Sequence, residues 1–365
     1  MHACALALIL APALAREDGI CTAWLPAVEG ARIEVGDLAE ISGLAASHAH
    51  PGGVWFHEDH QEGPVLYAAD TDGGDRGTFT LAGVRNVDWE DLAVGPCPDG
   101  EPVCTCLHVA DIGDNDLERD GGVVWRVPEP EPLDPGGRTQ VGPLDAVHFV
   151  YPDGPHDAET LLVDPDTGAV LLVTKEAPAR VFAFPGTPPA SASEDDPLVL
   201  ELLDAVDLES LGASAPKASG GAVSPAGLRT VLRTDEDLLL FRGTGAAAFQ
   251  REPDVLPVPP AGQGEAVAFT PDGRTLLLVS EGTDPHLWSV TCTAFQPMVD
   301  DPWDPLVDCR SGCSGCATGG SVARLVAGLL AGLAALGRRR SITVPCRGRG
   351  RGPAGGSPPG RPGRG

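Results

Sequence analysis

Acidic residues flank two short apolar runs in the segment 86–116, and their spacing could bring several carboxylates together. Glu90 and Asp91 stand where the first run begins, and Asp111 directly follows the second run. A turn rich in Pro, Gly and Asp separates the two runs, so we interpret them as antiparallel strands. The start of one strand then lies beside the end of the next, where carboxylate oxygens could bind a hard cation.

The same arrangement of polar residues recurs along the chain. Apolar runs are opened by Glu40, Ser42, Glu90, Asp91, Asp157, Glu159, Ser219 and Glu265. The runs that follow are closed by His57, Asp59, Asp111, Asp114, Asn115, Lys175, Glu176, Arg233, Asp235 and Glu281. From these positions we predict a ligand-binding mouth that contains Glu90, Asp91, Asp157, Glu159, Lys175, Arg233, Glu265 and Glu281.

The chemistry that such a mouth favours is the binding of a hard divalent cation. Converging carboxylates repel one another unless a cation or protons compensate their charge. Oxygen ligands without a nearby pair of histidines favour Ca²⁺ over Zn²⁺. We therefore predict a Ca²⁺ site whose ligands are Glu90, Asp111, Glu159 and Glu265.

Three alternative interpretations stay open at the level of the sequence. The repeated acidic residues could simply accept backbone N–H groups of the next module. Residues 111–116 could form a local calcium loop, although they lack the spacing of an EF-hand and its closing Glu. His57 and His156 could act as general bases beside a metal, but a solvated loop position is the more ordinary expectation for each.

Several other classes of protein are disfavoured by composition and motifs. The chain has 25 basic and 52 acidic residues and a net charge of -27, which argues against a nucleic acid partner. The sequence contains no Gly-x-Ser-x-Gly elbow of a serine hydrolase. It also contains neither a phosphate-binding loop nor a dinucleotide-binding glycine fingerprint.

The elements that must position these residues are short strands in a repeated unit. Five modules of about 45–70 residues each contain about four short apolar runs, the pattern of an all-β propeller. Similar turns follow the first run of three modules, at 164–168, 224–227 and 270–273. We predict five blades, and six remain an alternative if 31–35 and 118–150 contribute to another blade. The fifth module lacks an outer strand, which we expect 31–35 to supply, bringing Cys21 near Cys292.

The ends of the chain differ in composition from the modules. Residues 1–15 have the apolar run and small-residue cleavage pattern of a secretory signal, so we expect an exported protein. The propeller is assigned to 31–295, and a Pro/Asp-rich linker with a Cys cluster to 296–320. A short apolar helix with an Arg stop follows at 321–340, and 341–365 is an Arg/Gly/Pro tail that we expect to be disordered.

Of the ten cysteines, Cys4 would leave with the signal, and export makes the others disulfide candidates. Cys97, Cys104 and Cys106 lie within one hairpin, and we expect Cys97 to pair with Cys104 or with Cys106. Cys104 and Cys106 would point to the same face of a strand, so the sequence does not choose between them. A zinc site at these two residues is the alternative, but no second ligand pair has suitable spacing.

The modules resemble a family of exported bacterial propeller proteins. The resemblance covers residues 40–290 and rests on four phrases: Trp89-Glu90-Asp91, Asp111-Ile112-Gly113-Asp114-Asn115, His156-Asp157-Ala158-Glu159 and Val173-Thr174-Lys175. It implies the propeller fold and little chemistry. In outline the modules are also similar to calcium-dependent lactonase-type and phytase-like propellers.

The C-terminal tail resembles the sorting tails of myxobacterial surface proteins. It has Cys313 and Cys316, a Gly pair, a short apolar helix and three arginines that end at Arg340. The resemblance implies recognition in the inner membrane, cleavage, and anchoring through the cysteine. The chain departs from the pattern because 25 residues follow Arg340. A plain short membrane anchor is the alternative.

These observations lead to two functional hypotheses. The first is a monomeric propeller, displayed at the cell surface, that binds a small ligand or an envelope protein at its acidic mouth. The second is a metal-assisted hydrolase of an ester, lactone or phosphoester, in which Lys175 and Arg233 steer an anionic group. The fold alone does not decide between them, because propellers host many unrelated functions.

Overall fold

The structure is a computed structural model that describes residues 19–36, 38–59, 63–98, 105–258 and 263–297. Several predictions lie outside these residues: the signal at 1–15, Cys104, the sorting residues Cys313 and Cys316, and the linker and tail beyond Pro297. Among the described residues, no helix is long and apolar enough to cross a membrane.

Short strands make up most of the described chain. In chain order they are β1 (Gly19–Trp24), β2 (Val28–Arg32), β3 (Ile41–Ala46), β4 (Gly53–Glu58), β5 (Val65–Asp70), β6 (Asp75–Leu81), β7 (Trp89–Pro96), β8 (Thr105–Asp111), β9 (Gly121–Pro128), β10 (Arg138–Val141), β11 (Asp145–Val150), β12 (Ala158–Val163), β13 (Val170–Thr174), β14 (Ala179–Ala183), β15 (Leu198–Val199), β16 (Glu201–Val206), β17 (Gly220–Val223), β18 (Arg229–Arg233), β19 (Asp237–Arg242), β20 (Asp254–Pro257), β21 (Gly264–Phe269), β22 (Thr275–Ser280) and β23 (His286–Pro297). A 3-10 helix, Ala246–Gln250, precedes β20.

These strands form five sheets, which are the five blades of a propeller. Blade one contains β3 to β6, blade two β7, β8, β9 and β11, blade three β12, β13, β14 and β16, blade four β17 to β20, and blade five β21 to β23 with β1 and β2. The inner strands β3, β7, β12, β17 and β21 contact one another in that order, and β21 contacts β3. The ring is therefore closed, and the predicted five-bladed all-β propeller is confirmed.

The segment 118–150 does not form a sixth blade. It supplies β9 and β11 to blade two, and its remaining strand, β10, pairs in parallel with β6 at the outer edge of blade one. β15 pairs in parallel with β11 in the same way at the edge of blade two. These added strands cover outer edges that would otherwise present unpaired N–H and C=O groups.

The core consists of five apolar clusters, each between two neighbouring blades. The strands are buried on both faces, so consecutive residues pack against opposite neighbours. In β3, for example, Ala45 packs toward blade two and Ala46 toward blade five. This packing explains why the inner strands are continuous apolar runs without an alternation of polar residues.

The two ends of the propeller meet in blade five. β2 pairs antiparallel with β23 from Val28 opposite Ser289 to Arg32 opposite His286, and β1 pairs with the C-terminal half of β23. The predicted closure therefore occurs, with the strand three residues earlier than the expected 31–35. A disulfide joins Cys21 to Cys292, whose Cα atoms lie 5.9 Å apart.

The second disulfide lies in the β7–β8 hairpin. Cys97 is bonded to Cys106, with the two Cα atoms 5.1 Å apart. The predicted hairpin disulfide is confirmed, with Cys106 as the partner of Cys97. Because Cys106 is in this bond, the zinc interpretation of the hairpin is wrong.

Peptide mapping without reduction should recover both disulfides. We expect one linked pair of peptides containing Cys21 and Cys292 and one containing Cys97 and Cys106, because each pair lies at bonding distance in the folded chain. The control is the same digest after reduction, in which both linked masses should disappear. Recovery of Cys97 linked to Cys104 in secreted protein would contradict the hairpin geometry.

Candidate axial site

A β-bulge is repeated at the start of the inner strand in four of the five blades. The register of pairing with the second strand shifts between Ile41 and Gly43, Trp89 and Asp91, Ala158 and Thr160, and Gly264 and Ala266. The extra residues at these bulges are Ser42, Glu90, Glu159 and Glu265. A bulge changes the direction of the side chain that it carries. In blade four, Ser219 precedes β17 at the corresponding place.

The three bulge glutamates are buried near the axis of the propeller, close enough for their charges to influence one another. Glu90, Glu159 and Glu265 are 5%, 1% and 2% exposed, although they come from blades two, three and five. The charge of Glu159 acts on both other carboxyls, and that of Glu265 acts on Glu90. Blades three and five are not neighbours, so the three carboxyls face the axis from different sides. Among the described residues, however, only Glu40, Asp59 and Glu281 bring three carboxylate oxygens within 4.8 Å of one another, so the three axial carboxyls are not all as close together as that. We call Glu90, Glu159 and Glu265 the axial glutamates.

Glu90 is held by blade one and by the loop after β8. Ser42 Oγ lies 2.7 Å from the backbone oxygen of Glu90 and 3.0 Å from its Oε2, so its one hydroxyl hydrogen is shared between these two acceptors. On its other side, a Cβ at position 113 would lie 2.2 Å from Glu90 Oε1 and 2.5 Å from Asp88 Oδ2. Glycine at position 113 is therefore required to admit the Glu90 carboxyl.

Glu159 and Glu265 each accept a hydrogen bond from a side chain of their own blade. Lys175 Nζ lies 2.5 Å from Glu159 Oε1, and Gln263 Nε2 lies 2.6 Å from Glu265 Oε1. Glu159 Oε2 is buried and accepts no hydrogen bond from a non-acidic group among the described residues, and the Glu159 carboxyl lies within hydrogen-bond distance of the Glu90 carboxyl, with which it can share a proton. Ser219 Oγ is also buried without a partner in the described chain.

Burial makes the axial glutamates unusually weak acids. It raises the pKa of Glu159 to about 7 and that of Glu265 to about 8, and it raises the pKa of Glu90 well above its ordinary value. Repulsion from neighbouring carboxylates adds to each shift, whereas Lys175 lowers the pKa of Glu159. The site therefore takes up protons near neutral pH, where a cation could replace them.

A second group of carboxylates forms a rim near the axial glutamates. Oxygen atoms of Glu40, Asp59 and Glu281 lie within 4.8 Å of one another. The pKa of Glu281 is raised by burial and by the charges of Glu40 and Asp59. Gln263 Nε2 lies 2.6 Å from Glu265 Oε1 and 3.5 Å from Glu281 Oε1, so this amide connects the rim to the axial glutamates.

Asp111, the fourth predicted metal ligand, is engaged elsewhere. Its Oδ1 lies 2.6 Å from Arg119 Nη2, and its Oδ2 accepts the Val87 N–H at 3.1 Å. The two carboxylate oxygens of Asp114 accept the N–H groups of Glu118 and Arg119. The loop that was a candidate calcium loop is thus folded around the Arg119 guanidinium. The structure does not bring Asp111 into contact with the axial glutamates.

Asp91 and Asp157 connect neighbouring blades. Asp91 is fully buried in blade two, and its Oδ2 accepts the N–H of Leu161 in blade three at 2.8 Å. Asp157 Oδ1 accepts the N–H of Asp114 at 2.9 Å. Each of these two aspartates thus accepts a backbone N–H group from a neighbouring blade, as one of the alternative interpretations of the acidic residues expects.

Arg233 also connects two blades. Its Nη1 donates to the carbonyl oxygens of Ala266 at 2.6 Å and Val279 at 2.5 Å, and its Nη2 donates to Ser280 Oγ at 2.8 Å. The side chain is buried, and burial lowers the pKa of Arg233 to about 10. Its N–H groups are directed at the backbone of blade five, whereas the partly exposed Lys175 faces the axial glutamates.

Both candidate histidines are buried, so the expectation of solvated loop positions is wrong. His57 packs edge-on against Trp89 with ring centroids 5.3 Å apart, and burial lowers its pKa to about 4. His156 lies between two carboxylates, 2.5 Å from Glu176 Oε1 and 3.0 Å from Asp153 Oδ1. These contacts were not visible in the sequence because each histidine stands beside charged residues that normally mark a surface.

The opposite end of the axis is mainly apolar. A cleft there is lined mainly by apolar residues of all five inner strands, among them Ala46, Ala93, Val163, Ala222 and Phe269. His48 stands at the same cleft, and burial lowers its pKa. The polar groups of the axis are therefore concentrated at the end of the propeller where the inner strands begin.

Comparison with models of known protein families found no match. A comparison with curated proteins likewise found no similar sequence.

In the absence of a divalent cation, the folded chain should lose stability as the pH rises from about 5 to about 8. The pKa values of Glu159 and Glu265 are raised from 4.5 to about 7 and about 8, so folding favours the protonated carboxyls. This stabilisation is fully present below the unfolded pKa and is lost as the pH passes through the folded values. We expect a loss of several kcal/mol, since each unit by which folding raises a pKa is worth about 1.4 kcal/mol, and urea unfolding in the presence of a chelator measures it.

Glu265→Gln is the variant that isolates this effect. It removes one of the titrating carboxyls, so its unfolding free energy should change less between pH 5 and pH 8 than that of the unsubstituted chain. Glu201→Gln, at an exposed position on β16, is the control and should leave the pH dependence unchanged. Equal slopes for all three proteins would show that the axial carboxyls do not titrate in this range.

Proposed function

We propose that the chain is an exported propeller, anchored at the cell surface, that binds Ca²⁺ at the axial glutamates and uses this mouth to bind a ligand. The observation that carries the proposal is that Glu90, Glu159 and Glu265 are buried near the axis and act on one another electrostatically. A cation bound by all three would draw their oxygen atoms closer together than they lie in the metal-free chain. Among the described residues, Lys175 is the one cation in an ion pair with them. A site with this excess of buried carboxyl groups needs protons or a cation for charge balance.

The donor set fits a hard cation. The axial groups offer carboxylate oxygens, and hydroxyl oxygens stand at the equivalent positions of blades one and four, Ser42 and Ser219. Ca²⁺ takes oxygen ligands of this kind, whereas Zn²⁺ favours nitrogen and sulfur. The buried Ser219 Oγ has no hydrogen-bond partner in the described chain, and Glu159 Oε2 has no donor there apart from the carboxyl of Glu90, so both are available as ligands. Bound Ca²⁺ would neutralise the carboxylates and offer open coordination positions to a ligand.

The surface location is part of the same proposal. The two disulfides are compatible with an extracellular protein. The apolar segment 1–15 and the Cys-rich tail with Cys313 and Cys316 support export and anchoring by their sequence patterns. The partner that we propose is a small ligand or an envelope protein, and the negative net charge makes nucleic acid an unsuitable one.

A metal-assisted hydrolase is the second candidate, and one observation favours it. In the metal-free site burial raises the pKa of Glu159 to about 7, so this carboxyl is a stronger base than an ordinary glutamate. Such a group beside a bound metal could deprotonate water for attack on an ester, lactone or phosphoester. The test is a panel of these substrates with Ca²⁺ present. Hydrolysis that is lost in Glu159→Gln would support an enzyme.

Calorimetric titration of the full-length chain with Ca²⁺ tests the proposed function. We expect one saturable binding event at neutral pH, with protons released as the cation replaces them on the axial glutamates. Proton release can be measured by repeating the titration in buffers of different ionisation enthalpy. Mg²⁺ and Mn²⁺ serve as alternative hard cations. Absence of binding for all three cations would contradict the proposal.

A further inference from the structure

We propose that Lys175 is a displaceable counter-ion of the axial site, which a bound divalent cation moves away from Glu159, so that Lys175 sets the affinity of the site. The inference rests on the proposed function, because it concerns the same cation site. It adds a residue that controls how tightly the cation is held.

The position of Lys175 is the first argument. It directly follows β13 in blade three, and its Nζ lies 2.5 Å from Glu159 Oε1. The Lys175 side chain is 24% exposed, whereas that of Glu159 is 2% exposed. The ammonium group thus reaches the buried carboxylate from the open side of the site, from which a cation would enter.

Competition for one oxygen atom is the second argument. A divalent cation bound through Glu159 Oε1 would stand within a few ångströms of the Lys175 ammonium, and like charges at such a distance repel strongly in a partly buried site. The site would therefore hold either the ammonium beside Glu159 or the divalent cation. A lysine suits an exchangeable position because its charge is a compact group on a flexible four-carbon chain.

An alternative partner for the displaced ammonium is the third argument. Lys175 already acts electrostatically on the rim carboxylate Glu281. Glu281 lies in the rim group with Glu40 and Asp59, which is more exposed than the axial glutamates. Movement of Lys175 Nζ from Glu159 toward Glu281 would keep it near a carboxylate while it clears the axial site.

The sequence provides a matched control, because Lys175 and Lys217 are the only lysines in the chain. Lys175→Met and Lys217→Met remove the same charge, and Lys217 is exposed. By calorimetry on the full-length chain, we expect Lys175→Met to bind Ca²⁺ about tenfold more tightly than the unsubstituted chain. Lys217→Met should leave the affinity unchanged, and Lys175→Arg, which keeps a cation, should not tighten binding.

A measurement on the unsubstituted chain does not depend on how the variants fold. Ca²⁺ should increase labelling of Lys175 by an amine-reactive reagent several-fold, because the amine moves from the buried Glu159 to the more exposed Glu281. Labelling of Lys217 should stay constant. Peptide mass spectrometry separates the two sites.

The outcomes separate this inference from the proposed function. If the unsubstituted chain binds Ca²⁺ and Lys175→Met binds it equally or more weakly, Lys175 is not a competitor and the inference is overturned. Unchanged labelling of Lys175 at saturating Ca²⁺ also overturns it. If Lys175→Met binds Ca²⁺ and the unsubstituted chain does not, the counter-ion role holds and the proposed function fails. If neither protein binds, both fail.

Discussion

Ca²⁺ should raise the melting temperature of the full-length chain, and the double substitution Glu90→Gln with Glu159→Gln should abolish that rise. A cation that binds only the folded state stabilises it by about 2.7 kcal/mol at a hundredfold excess over its dissociation constant. For a domain of this size, that corresponds to about 5 °C or more. The two glutamines remove two carboxylates of the site while nearly preserving the volume of each side chain.

The control for this experiment removes two carboxylates away from the axis. Glu201→Gln with Glu209→Gln changes the net charge by the same amount at exposed positions in blade three and the turn after it. This variant should keep the full Ca²⁺-dependent rise. A rise that persists in the axial double variant would place the cation elsewhere, and the rim of Glu40, Asp59 and Glu281 would be the first place to examine.

Removal of residues 19–32 should strongly destabilise the propeller. The deletion takes away β1, β2 and the Cys21–Cys292 disulfide, and it leaves β23 as an unpaired edge. Loss of a native disulfide alone typically costs about 2–5 kcal/mol. We expect a total loss of about 5 kcal/mol or more, seen as a much lower urea midpoint or as failure to fold.

A second variant separates the disulfide from the strands. Cys21→Ser with Cys292→Ser keeps β1 and β2 but removes the covalent link, so its loss of stability should be smaller than that of the deletion. Equal losses for the two variants would mean that strand pairing at the closure contributes little. A deletion variant with an unchanged melting temperature would contradict the closure itself.

Much of the fold could be predicted from the sequence because the propeller repeats its local chemistry. Each module shows short apolar runs bounded by turn residues, and the observed strands agree with those runs within a few residues. The missing outer strand of the fifth module correctly predicted that the N-terminal segment closes the ring. The hairpin disulfide was predictable because three cysteines stand within one hairpin of the sequence, although the choice of Cys106 required the folded register.

The site was harder to predict, because neighbouring carboxylates in the sequence have different roles in the fold. Glu90 stands on the bulge and faces the axis, whereas Asp91, one residue later, accepts the N–H of Leu161 in the next blade. The different roles of Glu90 and Asp91 result from a one-residue shift in strand register at the bulge, and the register depends on how the two strands pair. The recurrence of Ser or Glu at the same place in every module was the one available signal for the bulge.

Partners that lie outside the repeated strand pattern account for the remaining differences. Arg119 neutralises Asp111 through a loop contact, and Arg233 donates to carbonyl oxygens in blade five. Neither contact follows from strand patterns, since each depends on how a long side chain crosses between elements. The rim of Glu40, Asp59 and Glu281 joins blades one and five, whose sequences lie at opposite ends of the propeller.

The most direct test of the account is a crystal structure of the protein with Mn²⁺ as a substitute for Ca²⁺, analysed for anomalous scattering. Mn²⁺ is a hard cation that accepts the same oxygen ligands and gives a measurable anomalous signal. We predict a peak among the carboxylates of Glu90, Glu159 and Glu265, with Lys175 Nζ turned away from Glu159. An ordered axial site without a peak, and with Lys175 still paired to Glu159 at saturating Mn²⁺, would contradict the account.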